Sequence, residues 1–192
     1  MEYEIYPLSL DRMNDFLSFF DNDAFKDHEE WDGCYCLIYH IRDENSSNFS
    51  GEKVKRRKIA IELIKEKKLR GYLAYLNGKV VGWCNTSDKE SYPYYVSDEK
   101  LMDKNEANKK IKSIVCFTVD PKMRSKGIAT QLLIKIYNDA KVEEYDFIEC
   151  YPIKNEQDYF GNFTGPLKMY QKFGFELHKE LEDRYIYRKY LR

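Results

Sequence analysis

The chain has no surplus of basic charge: 32 Lys and Arg stand against 33 Asp and Glu in 192 residues, a formal charge of −1. Nucleic-acid binders usually carry a basic face or helix, so this balance argues against nucleic acid as a partner. Long apolar runs are missing too. No window approaches the roughly 20 apolar residues of a spanning helix, so no membrane partner is expected. The opening Met-Glu-Tyr-Glu-Ile-Tyr has neither a basic n-region nor an apolar core, so no secretory signal is expected. Cysteines number only five, odd and without dense spacing, which fits a reduced cytoplasmic protein and not a disulfide scaffold. A Gly-x4-Gly-Lys-Ser/Thr loop is absent and no Mg²⁺-binding pair is evident, which leaves a nucleotide-binding role weakly supported. No internal repeat or low-complexity tract breaks the chain, and its length most simply makes one domain, residues 1–192.

What is abundant is tyrosine, 17 residues within an aromatic content of 16 %. That surplus suits many half-buried strands, and it equally suits the lining of a polar pocket. Residues 2–8 alternate as a first strand. Asp11 is placed to cap a helix carrying Met13, Phe16, Leu17, Phe19 and Phe20. Residues 32–41 read as extended or short-helical, and 45–51 as a polar loop. Residues 52–69 are expected to be helical, with Val54, Ala60, Ile61, Leu63 and Ile64 buried and the lysines and arginines solvated. Asn77-Gly78 between two β-rich runs is the strongest short hairpin signal. Residues 87–110 form a long charged connection with room for one short helix, in the manner of a substrate-side lid. Strands are expected at 111–119, at 146–152 in the middle of the sheet, and at 175–181 and 184–191.

The most informative stretch is Val119-Asp-Pro-Lys-Met-Arg-Ser-Lys-Gly-Ile-Ala-Thr130. An apolar strand ends at Asp120-Pro121, a basic turn with Gly127 follows, and then Ile128, Leu132 and Ile136 mark one side of an amphipathic helix. Strand, glycine turn and helix N-terminus make a site for a phosphate-bearing ligand, with Lys122, Arg124 and Lys126 adding positive charge.

Arg124-Ser-Lys-Gly-Ile-Ala129 resembles the Arg/Gln-x-x-Gly-x-Gly/Ala signature of the GNAT N-acetyltransferase superfamily. Met169-Tyr-Gln-Lys-Phe-Gly-Phe175 matches that family's later Tyr-x-x-x-Gly-Phe element, and the likeness is clearest over residues 70–190. Ala129 stands where many members have a second glycine, and a small residue still permits close approach. The resemblance implies an α/β (α+β) fold, a mixed, mostly antiparallel central sheet of about seven strands with helices on both faces. It implies acetyl-CoA as co-substrate in the opening between strands four and five. The backbone of Phe117, Thr118 and Val119 would pair with the pantetheine arm. The amides of Ser125, Lys126, Gly127, Ile128, Ala129 and Thr130, with Arg124 beside them, would hold the pyrophosphate.

By the same resemblance Tyr170 is the general acid for the departing thiolate, and Glu149 a base acting through water. The expected reaction is direct acetyl transfer to a primary amine whose identity stays open, and a homodimer is carried over by analogy. Many members of that family place an Asn about seven residues before the Tyr; here Asn155 and Asn162 compete for that description, and neither transfers cleanly. Cys34, Cys36 and His40 would share one face of a strand near the acceptor. They supply three soft ligands without a fourth, so no metal is assigned. The rival reading is a catalytically silent CoA-binding module that keeps the turn and lacks a usable acceptor pocket.

Overall fold

The computed structural model describes residues 2–41, 52–102, 106, 108–154 and 161–191. The loop at 45–51, Asn155 and the side chain of Asn162 lie outside the described structure. Seven strands, β1 (Glu4–Pro7), β2 (Gly71–Leu76), β3 (Lys79–Asp88), β4 (Ile111–Val119), β5 (Phe147–Cys150), β6 (Glu176–Glu180) and β7 (Tyr185–Tyr190), form one sheet in the order β1-β2-β3-β4-β5-β7-β6. Its helices are α1 (Met13–Asn22), α2 (Lys53–Lys65), α3 (Pro93–Val96), α4 (Ile128–Val142) and α5 (Leu167–Lys172). Every neighbouring strand pair is antiparallel except β4 with β5. The expected fold class is the observed one.

Local chemistry sets the register. Asn77 and Gly78 both take positive φ (51° and 75°), as a tight hairpin turn with the twist of its strands requires. Alternation along β2 and β3 then sends Leu73, Tyr75 and Trp83 to the face covered by α1 and α2, and Tyr72, Ala74 and Cys84 to the face covered by α4. Gly82 lets α4 sit close, since a Cβ there would lie 2.6 Å from Ile128 Cγ2.

Two features of β4 shape the middle of the sheet. Asn85 is opposite Cys116 while Thr86 is opposite Ile114, so Val115 is an extra residue, a β-bulge. Val115 and Cys116 therefore both face α1 and α2, whereas Ile114 and Phe117 face α4. In addition, β5 follows β4 only along residues 111–114. Past that point β4 keeps β3 on one side and, among the described residues, has no strand on the other.

Of the two readings of residues 32–41, the short-helical one holds and the extended one needs correction, as does the burial expected on α2. Tyr35 and Cys36 have left-handed backbones (φ 45° and 54°), followed by a single 3-10 turn at Leu37–Tyr39. Cys34, Cys36 and His40 therefore do not share a strand face. On α2 the inward positions are Arg56, Ala60 and Ile64, and Val54 is 72 % exposed. Arg56 is buried because its guanidinium donates to Gly33 O (3.0 Å) and Cys34 O (3.3 Å), which fixes the 33–36 turn.

Candidate active site

Asp120 ends β4. Its N–H donates to Val81 O (3.1 Å), and its carboxylate accepts from Lys122 N (2.9 Å), bending the chain into a 3-10 turn at Pro121–Met123. Ser125 and Gly127 then take positive φ (60° and 82°) with Lys126 of the opposite sign between them. Such alternation turns successive N–H groups toward one side and makes an anion-binding concavity. Gly127 leads directly into α4, whose first-turn N–H groups lack helical partners. A Cβ built on Gly127 would meet nothing within 4 Å, so the space ahead of the helix is open. Ser125, Lys126, Gly127 and Thr130 are exposed and Ala129 half-buried, while the Ile128 side chain belongs to the core. Arg124 departs from expectation: its guanidinium grips Asp27 with two hydrogen bonds (2.5 and 3.2 Å). That pair ties the turn to the segment after α1.

The open edge of β4 lies next to this turn. The Asp120 N–H points at β3, so the twofold alternation of a strand gives Thr118 the same direction and turns the N–H groups of Phe117 and Val119 to the side that β5 has left. Tyr170 of α5 packs near Phe117 (ring centroids 6.5 Å) and against Phe175 (5.3 Å), fully buried. Its hydroxyl donates to Thr164 O (2.7 Å). Gly165, with φ 91°, leaves room for that hydroxyl, which would lie 2.7 Å from an added Cβ. Burial pushes the phenol well above its ordinary range, so it holds its proton.

The sequence model of the acetyltransferase (GNAT) domain fits residues 67–177, more than half of the chain. The chain belongs to the GNAT acetyltransferase family. Its fold is similar to that of an N-acetyltransferase from Staphylococcus aureus Mu50, with 16 % identity, a TM-score of 0.56 and 100 % of each chain covered. It is also similar to the PaiA N-acetyltransferase from Thermoplasma acidophilum in complex with coenzyme A (16 % identity, TM-score 0.57, 99 % of each chain). The GNAT domain of S. lividans PAT aligns at 11 % identity and a TM-score of 0.60, over 98 % of this chain and 90 % of that one. Among curated proteins no match is found.

On the α1 face of this GNAT sheet, Cys116 and Thr118 of β4 meet Cys34, Cys36, Ile38 and the rings of Phe25, Trp31, Tyr39 and Phe163 around a small apolar pocket. Cys34 and Cys36 thus line this pocket, brought there by turns and not by a strand. Cys36 Sγ lies 3.2 Å from Cys116 Sγ. Burial pushes the Cys34 thiol up to about 12 and Cys36 well above its usual range, so both stay neutral and neither is primed as a nucleophile. Among the described residues no group of three or more His, Cys, Asp or Glu is placed to hold a metal.

His40 lies outside that lining. Its Nε2 is 3.1 Å from Asn85 Nδ2, while Asn85 also donates to Cys36 O (3.3 Å) and accepts from Tyr92 (2.9 Å). Burial pushes the imidazole down to about 4. A histidine kept neutral when folded, but ionising near 6.5 when unfolded, stabilises the fold above pH 6.5, and that contribution is lost as pH falls toward 4. Between pH 7 and pH 5 the loss should be about 2 kcal/mol. Urea midpoints at the two pH values check this: His40→Gln should lose less stability over the interval, and equal losses in both proteins would contradict it.

Glu149 also has another task. It is fully buried, with Oε1 bound by Lys89 Nζ (2.5 Å) and the Tyr151 hydroxyl (2.7 Å), and Oε2 by Arg188 Nε (2.6 Å). Both oxygens are taken, so this carboxylate is not placed to draw a proton from an amine through water. Sequence reasoning did not identify the Val115 bulge, the Arg124–Asp27 pair or the place of Phe163 in the pocket. The pair spans 97 positions, and no local spacing announces it.

Proposed function

We propose that the chain moves an acetyl group from acetyl-CoA to a primary amine by direct transfer in a ternary complex. The observation behind this reading is the open, left-handed Gly127 at the head of α4, next to the β4 edge that β5 has left. The amides of 125–130 would hold the pyrophosphate, where the helix dipole favours negative charge. Phe117 and Val119 would offer main-chain groups to the pantetheine arm, as a sheet edge does to an added strand. Acetyl-CoA brings the activated thioester. The chain's part is to bind it, exclude water and place Tyr170 as proton donor to the departing thiolate. No base is assigned: among the described residues the pocket lining carries neither carboxylate nor imidazole, and the acceptor nitrogen attacks in its neutral form.

Calorimetry with acetyl-CoA tests the site. Gly127→Glu sets a side chain and a negative charge in the open space, and affinity should fall on the order of a hundredfold. Circular dichroism of the variant guards against a trivial loss of fold, since a non-glycine residue at φ 82° is strained. A well-folded wild-type protein that fails to bind acetyl-CoA sinks the proposal.

A second reading, a silent CoA-binding module, draws support from the Tyr170 hydroxyl being committed to Thr164 O and from Glu149 being enclosed by Lys89 and Arg188. Under it the protein binds acetyl-CoA and acetylates none of a broad panel of amines.

A further inference from the structure

The pocket on the α1 face restricts which amine can be the acceptor, an inference that rests on the acetyltransferase reading. Its floor is Cys116 and Thr118, turned to this face by the bulge at Val115 just where β4 loses β5. Its outer wall is a trio of rings in mutual edge contact: Phe25 with Trp31 (centroids 6.3 Å), Phe25 with Phe163 (5.9 Å) and Trp31 with Phe163 (5.2 Å). Among the described residues that line it, none is charged.

Charges do surround the pocket, and they are committed elsewhere. Asp27 holds Arg124, Asp32 holds Lys53, and Glu30 pairs with His28, whose ring is stacked on Trp31. Arg56 spends its guanidinium on the carbonyls of Gly33 and Cys34. A diamine, polyamine or aminoglycoside entering here would bury a second ammonium with no carboxylate among the described lining residues to receive it. Such unpaired burial is strongly unfavourable. An aromatic skeleton finds the opposite: ring edges and faces to pack on, and no desolvation of charge.

We propose that the acceptor is a primary amine on an aromatic or branched apolar skeleton. Its ring lies against Phe25, Trp31 and Phe163, and its neutral nitrogen points to the β4 edge at Cys116 and Thr118. The cavity of about 20 Å³ holds roughly one water molecule, so the ring enters by parting the Trp31–Phe163 contact. Both of those side chains are only half-buried and sit on non-strand segments, which makes that movement local. In the transfer the nitrogen lone pair bonds to the thioester carbon and the carbon–sulfur bond breaks. The bonding pair leaves on sulfur, Tyr170 protonates that thiolate, and the nitrogen releases its extra proton to solvent water, which in turn reprotonates the Tyr170 phenolate, leaving a neutral amide and free CoA thiol.

The test uses the full chain with acetyl-CoA and four amines: 2-phenylethylamine, isopentylamine, putrescine and 2-aminoethanol. The first two should exceed the last two by at least about tenfold in kcat/KM, the scale of discrimination that an apolar pocket provides. Trp31→Ala should shrink the ratio of 2-phenylethylamine to 2-aminoethanol. Phe163→Glu, which adds a carboxylate, should shift preference toward putrescine. In parallel, calorimetry in the presence of CoA should show 2-phenylethylamine binding more tightly than putrescine. Putrescine or 2-aminoethanol preferred in turnover or in binding, or a Trp31→Ala ratio that does not move, overturns the proposal while leaving acetyltransfer intact. A wild-type protein that does not bind acetyl-CoA fails at the earlier step, and one that binds it but favours 2-phenylethylamine only in the binding arm supports the pocket assignment within a silent module.

Discussion

Glu149→Ala is expected to cost about 3–5 kcal/mol of folding stability, the range for removing one partner of a buried ion pair. The reason lies in a row across three strands: Ser113 of β4, Glu149 of β5 and Arg188 of β7 are register partners. Glu149 joins Arg188 to Lys89, and all three side chains are at most 3 % exposed. Arg188 keeps a second partner in Glu106, but among the described residues Lys89 would be left with only the Leu101 carbonyl (2.6 Å). An ammonium buried with one neutral acceptor is the costly remnant, more than the lost attraction itself. Replacing both groups, Glu149→Leu with Lys89→Met, should recover much of the loss, giving a clear coupling in a double-mutant cycle of urea midpoints. The kinetic counterpart is equally definite. Glu149→Gln should leave the shape of the pH–rate profile unchanged, because the carboxylate is a girder between strands. A variant of near wild-type stability that loses a limb of that profile would restore Glu149 to the role of base.

That residue also marks how far sequence reasoning reaches. A glutamate between Ile148 and Cys150 on a central strand is correctly read as anomalous, because a lone buried carboxylate is unfavourable. What resolves the anomaly is Lys89 and Arg188, 60 and 39 positions away, and partners at that separation leave no periodic trace. The hairpin at Asn77-Gly78, strand β4, the helix after Gly127 and the two final strands were legible because each is dictated by residues next to one another. The turn ahead of α4 was legible for the same reason, since its shape is set by Asp120-Pro121 and one glycine a few positions on. The stretch around Cys34 was not. Left-handed Tyr35 and Cys36 are held by Arg56 from α2, a tertiary contact that overrides the extended reading of the local sequence. The bulge at Val115 was likewise invisible, although it decides that Cys116 and Thr118 reach the pocket on the α1 face.

Tyr170→Phe should lower kcat by about 10²–10⁴-fold, the usual worth of a positioned acid, with acetyl-CoA affinity unchanged. Loss of the hydrogen bond to Thr164 should cost only about 1 kcal/mol of stability, so the variant folds and the two effects separate cleanly. The phenol suits the task because burial holds its proton firmly, yet a thiolate leaving beside it in a dry site is a strong enough base to take that proton. To act, the hydroxyl must turn away from Thr164 O, 2.7 Å distant. Gly165→Ala probes that movement from the other side, since its Cβ would sit 2.7 Å from the hydroxyl on a backbone of φ 91°. It should reduce kcat while sparing acetyl-CoA binding, with a larger stability penalty than Tyr170→Phe because the strained backbone is added. If Tyr170→Phe turns over at the wild-type rate, the tyrosine is a packing residue that ties α5 to the 161–165 segment, and the proton comes from elsewhere. A kcat that falls together with acetyl-CoA affinity would mean instead that the ring shapes the cofactor opening, and the acid role would again be withdrawn.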